Sequence, residues 1–115
     1  MKLLNGERAD IGTKLEDYIL NTTHPLGKHK AGSFDSVLGI NLDNKQILAD
    51  ALLKAARNSD EVSTRARNGL GRSYAMELKV KAPKGSAIVV SGWVVRENED
   101  FPRLVTCHIS WGDGK

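Results

Sequence analysis

The densest chemistry in the sequence lies in His24-Pro25-Leu26-Gly27-Lys28-His29-Lys30, which holds two of the three histidines and two lysines within seven residues. Proline and glycine fix the path of such a segment at low entropic cost, and it leads into what reads as a helix N-terminus. Unpaired backbone N–H groups there, with Lys28 and Lys30 beside them, suit a phosphate. A polar loop between two helices would carry the same residues. His24 and His29 are five apart across Pro25 and Gly27 with no third ligand close by, which is not the spacing of a metal site.

The second group is Pro102-Arg103-Leu104-Val105-Thr106-Cys107-His108. Thr106 and His108 are two apart on a strand, so they project from one face, roughly 7 Å from each other. A hydroxyl and an imidazole so placed can bracket a scissile phosphate, although a half-exposed strand would also contain them. Metal-free cleavage of RNA needs a base for the 2′-hydroxyl proton, an acid for the 5′ leaving oxygen and cations to hold the charge of the phosphorane. Histidine suits the first two roles because it titrates near neutrality, and lysine or arginine suits the third.

Other reactive residues have plainer readings. Cys107 shares its parity with Val105 and Ile109, as a buried, inert thiol would. Trp93 and Trp111 read as packing residues, with base stacking as the alternative, and Tyr74 falls among core positions. Gly69 and Gly71 lack the flanking strand and helix of a nucleotide-binding fingerprint.

Elements must position these groups, and the periodicity changes once along the chain. Thr13-Lys14-Leu15-Glu16 has the form of a capping box, followed by Leu15, Tyr18 and Ile19 on one helical face. His24-Pro25 ends that helix, since the residue before proline is driven from helical dihedrals. A second helix is predicted from about Lys30 to Leu38 with Gly39 as its cap. A third, capped by Asn41 or Asp43, carries the stripe Ile47, Leu48, Ala51, Leu52 and Ala55 and ends near Asn58.

After Asp60 the pattern alternates. Tyr74, Met76, Leu78, Val80 and Ala82 take one parity and Ser73, Ala75, Glu77, Lys79 and Lys81 the other, as in a strand with one wet face. Pro83-Lys84-Gly85-Ser86 is a turn. Ala87 to Arg96 is apolar on both faces apart from Ser91 and Gly92, which places it centrally in a sheet. Arg103 to Trp111 makes a further strand, with Val105, Cys107 and Ile109 turned to the helices. Val62 to Ala66 would add a fourth. The fold class is therefore α+β: N-terminal helices packed on one face of a three- to four-stranded antiparallel meander. Residues 1–12 read as an N-terminal arm, 13–111 as a single domain and 112–115 as a tail.

The chain has 115 residues, 40% of them hydrophobic and 27% charged, which suits one ordinary core rather than a disordered or disulfide-stapled chain. One cysteine excludes an internal disulfide and a multi-cysteine zinc site. No apolar run reaches the roughly 18–20 residues of a membrane helix, so a soluble domain is expected. The net charge is +3, and Lys54 to Lys84 alone carries eight basic residues against three acidic ones. Arg65, Arg67, Arg72, Lys79 and Lys81 lie within that window. Clustered positive charge attracts polyanions through Coulomb energy and counterion release, though a solvated face would look the same.

The run Lys14-Leu15, Tyr18-Ile19-Leu20-Asn21, His24-Pro25, Gly27, Lys30-Ala31, Phe34 and Leu38-Gly39 resembles a bacterial domain family with the pattern KL..YLLN..HP.G..KA.FF...GF. Pro102-Arg103-Leu104-Val105-Thr106 is similar to that family's closing strand. The resemblance spans Lys14 to Ser110. Members occur alone and as modules at the ends of secreted toxins, and the element order is similar to the ribonuclease group of barnase, EndoU, the colicin tRNases and RelE. The family pattern matches His24, Lys30, Arg103 and Thr106. At His108 many relatives have tyrosine, and His29 has no counterpart.

Together these readings lead to the expectation of a metal-independent ribonuclease toxin, a tRNase effector of a contact-dependent or related bacterial competition system. In this expectation His24 and His108 exchange protons, Lys30 and Arg103 hold the phosphorane, Thr106 orients the phosphate, and Lys28, Arg65, Arg67, Arg72, Lys79 and Lys81 bind RNA. No cofactor is called for. The partners would be RNA, tRNA first, a cognate immunity protein and a host translation factor. The site of action would be the bacterial cytoplasm, reached as the C-terminal part of a secreted or cell-surface protein. The rival reading is a non-catalytic RNA- or protein-binding module of immunity or antitoxin type. Arg103 and Thr106 sit on opposite parities of an ideal strand, so both reach one site only if the strand bulges or twists.

Overall fold

The alternation that begins after Asp60 produces four strands, β1 (Val62–Asn68), β2 (Gly71–Ala82), β3 (Gly85–Arg96) and β4 (Arg103–Ile109), paired antiparallel in the order β1-β2-β3-β4. This is a computed structural model, and it describes residues 1–23, 28–69 and 71–110. Ahead of the sheet come a wide π-type helical turn, Leu15–Ile19, then α1 (Lys28–Ser33) continuing as a π-type segment through Phe34–Leu38, then α2 (Gln46–Asn58). The architecture is α+β, short N-terminal helices on a four-stranded meander, as the periodicity predicts.

The inward parity of the sheet is apolar because the helices cover it. Tyr74, Met76 and Val80 of β2, Val89, Trp93 and Val95 of β3, and Leu104, Cys107 and Ile109 of β4 join Leu15, Ile19, Phe34, Leu38, Leu48 and Leu52 in one buried cluster. Within it, Ser91 is the buried polar residue among those described, and it is fully satisfied: its hydroxyl donates to the Met76 carbonyl at 2.9 Å and accepts from Trp93 Nε1 at 2.8 Å. Trp93 and Tyr74 are thus core residues.

Local sequence explains most helix boundaries. Gly39 adopts φ 70°, the left-handed cap that lets the chain leave Leu38. Asn41 accepts from the Asp43 N–H while Asn44 accepts from the Asn41 N–H, a reciprocal cap on the turn that feeds α2. The stripe of α2 is rotated slightly from expectation. Leu48, Ala49, Leu52 and Ala56 are buried, and Ile47, Ala51 and Ala55 flank them. The Thr13–Glu16 capping box does not form. Thr13 donates instead to Asp17 at 2.6 Å, and Glu16 pairs with Lys45 at 3.6 Å.

Residues 1–12 pack against the domain. Leu3 is in the core, and Asp10 bridges Arg103 in parallel, its N–H donating to Pro102 and its carbonyl accepting from Leu104. The arm therefore runs alongside β4.

The largest departure from simple alternation is in β4. Gly92 pairs with Thr106 and Trp93 with Leu104, so Val105 is an extra residue bulged out of the ladder. Val105 is 44% exposed, not turned to the helices as its parity suggested, and Leu104 takes the inward place. An inserted residue resets the alternation beyond it. Its consequence is that Arg103, paired with Val94, and Thr106, paired with Gly92, come to the same outer face.

Candidate functional site

The expected site residues separate into two clusters along β4. Thr106 follows the bulge where the Leu15–Ile19 turn and α1 meet the strand. From α1, the Lys30 ammonium donates to the Tyr18 phenol oxygen at 2.7 Å and lies 4.9 Å from the centre of its ring. The Thr106 hydroxyl is buried and among the described residues completes no hydrogen bond of full geometry, but it faces the Tyr18 phenol closely enough to act as a weak hydrogen-bond partner that lowers its pKa. Tyr18 is pulled below its ordinary value mainly by the Lys30 hydrogen bond, opposed by burial, with the charge of Lys30, a hydrogen bond from Thr106 and the charge of Lys14 adding to the fall. A cation beside a phenol favours phenolate, and an amine keeps two further donors for another anion.

The helical spacing puts Tyr18 on an apolar face with Leu15 and Ile19 and does not by itself predict its contact with Lys30. A signal was present: Tyr18 is the residue of that face with a polar tip, and it stands within the same motif as Lys30. Leu15 and Ile19 are buried while Tyr18 is half-buried. The wide turn therefore anchors two side chains in the core and leaves the phenol at the surface seam.

Arg103 occupies a different environment three residues earlier. Its guanidinium makes a two-bond fork with Glu99, at 2.8 Å for each bond, donates to Asp10 at 3.0 Å, and lies 4.9 Å from the Phe101 ring centre. The Arg103 hydrogen bond holds Glu99 below the usual carboxylate range, and Glu99 raises Arg103 in return. Both carboxylates occupy the fork that a phosphate would need. The bulge gives Arg103 the correct face, but its bonds tie the arm to the turn before β4.

Two adjoining clefts border the seam. The larger, about 900 Å³, includes Lys14, Asp17, Tyr18, Arg96 and Arg103. The smaller, about 250 Å³, lies on the outer sheet face among Arg65, Gly92, Thr106 and His108. They share Ser73 and Val105. His108 is exposed and pairs with Val90, on the same face as Thr106.

The expected RNA-binding cations divide between surfaces. Lys79 and Lys81 lie on the outer face, paired with Ile88 and Ser86. Arg72 pairs with the buried Val95 and so takes the opposite parity, although it is exposed near the end of the sheet. His24 and Trp111 lie outside the described residues, as do the side chains of Lys28, His29 and Arg67. Cys107 is buried with its thiol pushed up to about 12 by burial, an unreactive form at neutral pH. Among the described residues no three His, Cys, Asp or Glu gather as metal ligands, and no helix is long and apolar enough to cross a membrane.

Fold and site together define a class: a basic α+β domain with a meander sheet, an outer face that carries Lys79, Lys81 and His108, and a lysine–tyrosine–threonine seam beside it. Comparison with known families places it further. The chain belongs to the family described as Domain of unknown function (DUF6883), whose model matches residues 2–110. No curated protein matches it. Among solved structures it is similar to a chain of a contact-dependent growth inhibition toxin–immunity protein complex from Klebsiella pneumoniae 342, with TM-score 0.65 and 16% identity over 89% of this chain and 98% of that one. At that identity the likeness is one of fold.

Proposed function

We propose that this domain is a ribonuclease toxin of a bacterial competition system, cleaving structured RNA, tRNA first, by metal-independent transfer of the phosphate to the neighbouring 2′-hydroxyl. The observation that carries the reading is the Lys30–Tyr18 contact with the buried Thr106 hydroxyl beside it, which among the described residues completes no hydrogen bond of full geometry. A buried polar group short of hydrogen bonds is costly and calls for a physical reason, and a ligand that completes the bonds supplies one. A phosphoryl oxygen would accept from Thr106 and from the free donors of Lys30.

In this mechanism Tyr18, held toward phenolate by Lys30, takes the 2′-hydroxyl proton. The 2′ oxygen then attacks phosphorus, Lys30 and Thr106 hold the equatorial charge, and the 5′ oxygen leaves with a proton from His24 or His108. The products are a 2′,3′-cyclic phosphate and a 5′-hydroxyl. Lys28, Arg65, Arg67, Lys79 and Lys81 would bind flanking phosphates, and Arg72 would add long-range attraction. Arg103 holds the scaffold. An immunity protein that covers the seam and a host translation factor that presents tRNA fit such a toxin, which would act in the bacterial cytoplasm after delivery as the end of a larger protein.

One observation favours a second reading, a non-catalytic immunity partner: the structurally similar chain comes from a complex that contains an immunity protein. Charge argues for the toxin. A partner that blocks an RNA site does so best with negative charge, whereas this chain is +3. Induction in bacteria followed by a denaturing RNA gel separates the two. Growth arrest with discrete fragments, both lost in Lys30→Met, supports the toxin; intact RNA in induced cells overturns it.

A further inference from the structure

Gly92 stands in the middle of β3, a strand paired on both sides, where glycine weakens a sheet and marks a bulge or the close approach of a ligand. The backbone gives no need for it, since its φ is not in the left-handed range. Packing gives none either: an added Cβ would meet Thr106 Cγ2 at 3.6 Å and the Thr106 carbonyl oxygen at 3.9 Å, both ordinary contacts. The bulge at Val105 lies beside it rather than in β3 itself. What a side chain there would fill is the smaller cleft, about 250 Å³, with Gly92 in its lining and Arg65, Thr106 and His108 around it.

We infer that this cleft is a nucleobase subsite for the nucleotide next to the scissile phosphate, with the bare backbone of Gly92 as a flat floor for the ring. The inference rests on the ribonuclease reading, because Thr106 both lines this cleft and lies beside the Lys30–Tyr18 pair. The volume is below the roughly 300–1,000 Å³ of sites for drug-sized ligands, which suits one planar ring system rather than a whole nucleotide. The ring faces suit it as well. Val90 and Ala75 supply apolar lining, the Arg65 guanidinium can stack on a base, and His108 and Ser73 offer polar atoms to its edge. Sugar and phosphate would extend toward Val105 and Ser73, where the two clefts join.

The test is an amide NMR titration of the full chain with each nucleoside 3′-monophosphate, with inorganic phosphate as the base-free control. Saturable shifts at Gly92, Thr106 and His108 that phosphate does not reproduce are expected, with affinity at least tenfold weaker in Gly92→Val and intermediate in Gly92→Ala. Gly92→Ala meets only ordinary contacts, so it keeps the test valid if valine disturbs the sheet. Shifts that phosphate alone reproduces, shifts confined to the larger cleft, or affinities unchanged in both variants overturn the subsite. Lys30→Met should keep the base-dependent shifts at Gly92 and His108 while binding the 3′-phosphate more weakly. Cleavage by the parent chain without base binding would remove the subsite and leave the ribonuclease reading intact; base binding without cleavage would do the reverse.

Discussion

Lys30 and Arg103 both lie along β4, one beside the Tyr18 phenol that faces Thr106 and the other within the strand, yet their surroundings differ in kind. Arg103 meets two carboxylates and an aromatic ring, so its charge is answered inside the fold. Lys30 meets a phenol, and among the described residues no carboxylate pairs with it. A cation matched by anions holds structure together. One that meets a phenol keeps spare donors for an incoming anion, and the buried Thr106 hydroxyl beside that phenol is where we propose the anion sits.

Several changes would break or sharpen this contrast. Lys30→Met should reduce RNA cleavage by about 100- to 1,000-fold, the usual cost of removing one group that holds transition-state charge, while leaving thermal stability nearly unchanged. Loss of fold instead of activity would move Lys30 to the structural side. Tyr18→Phe should cost a similar factor, about 100-fold or more. In the parent chain, cleavage should rise with pH through the phenol's titration, below the ordinary value of about 10, and this limb should vanish in Tyr18→Phe. The phenol's own titration, followed by its ultraviolet absorbance, should move up in Lys30→Met because the cation that favoured phenolate is gone.

Ser91→Ala tests the core beneath both clusters. It strands the Trp93 N–H in the interior, at a cost of about 1–3 kcal/mol, readable by denaturant unfolding. Glu99→Gln should have the smallest effect: a modest drop in stability at neutral pH, with cleavage within a few-fold of the parent. The sign follows from Glu99, whose folded pKa is depressed by Arg103. Its stabilisation is present above the unfolded carboxylate value and is lost as pH falls through the lowered folded one. Parent and variant should therefore converge in stability in acid. A large loss of cleavage in Glu99→Gln at neutral pH would instead give Arg103 a part in the chemistry.

The fold was legible because its signals are periodic. Alternation from Tyr74 to Ala82, the apolar stretch of β3 and the stripe of α2 each identify an element and its buried side. The site was legible only in part. Lys30 and Thr106 stand out by type and by motif, but their shared neighbour Tyr18 is brought to both only where α1 meets β4, which no local pattern encodes. Tyr18 was hidden because an aromatic at helical spacing reads as core, and its phenol reaches the surface only through the wide turn at Leu15–Ile19. The bulge at Val105 was equally invisible. It depends on pairing with β3, and it sends Leu104 inward where strict alternation would send Val105. Arg103 has the residue type of a phosphate binder, and only the folded approach of Asp10 and Glu99 shows its charge to be occupied.

The most direct test of the central claim is cleavage of purified tRNA by the purified domain in excess EDTA, with the product ends identified by mass spectrometry. Discrete fragments ending in 2′,3′-cyclic phosphate, formed by the parent chain and by Glu99→Gln but not by Lys30→Met, are the predicted result. Cleavage that persists undiminished in Lys30→Met, or RNA left intact by the parent chain, would contradict it.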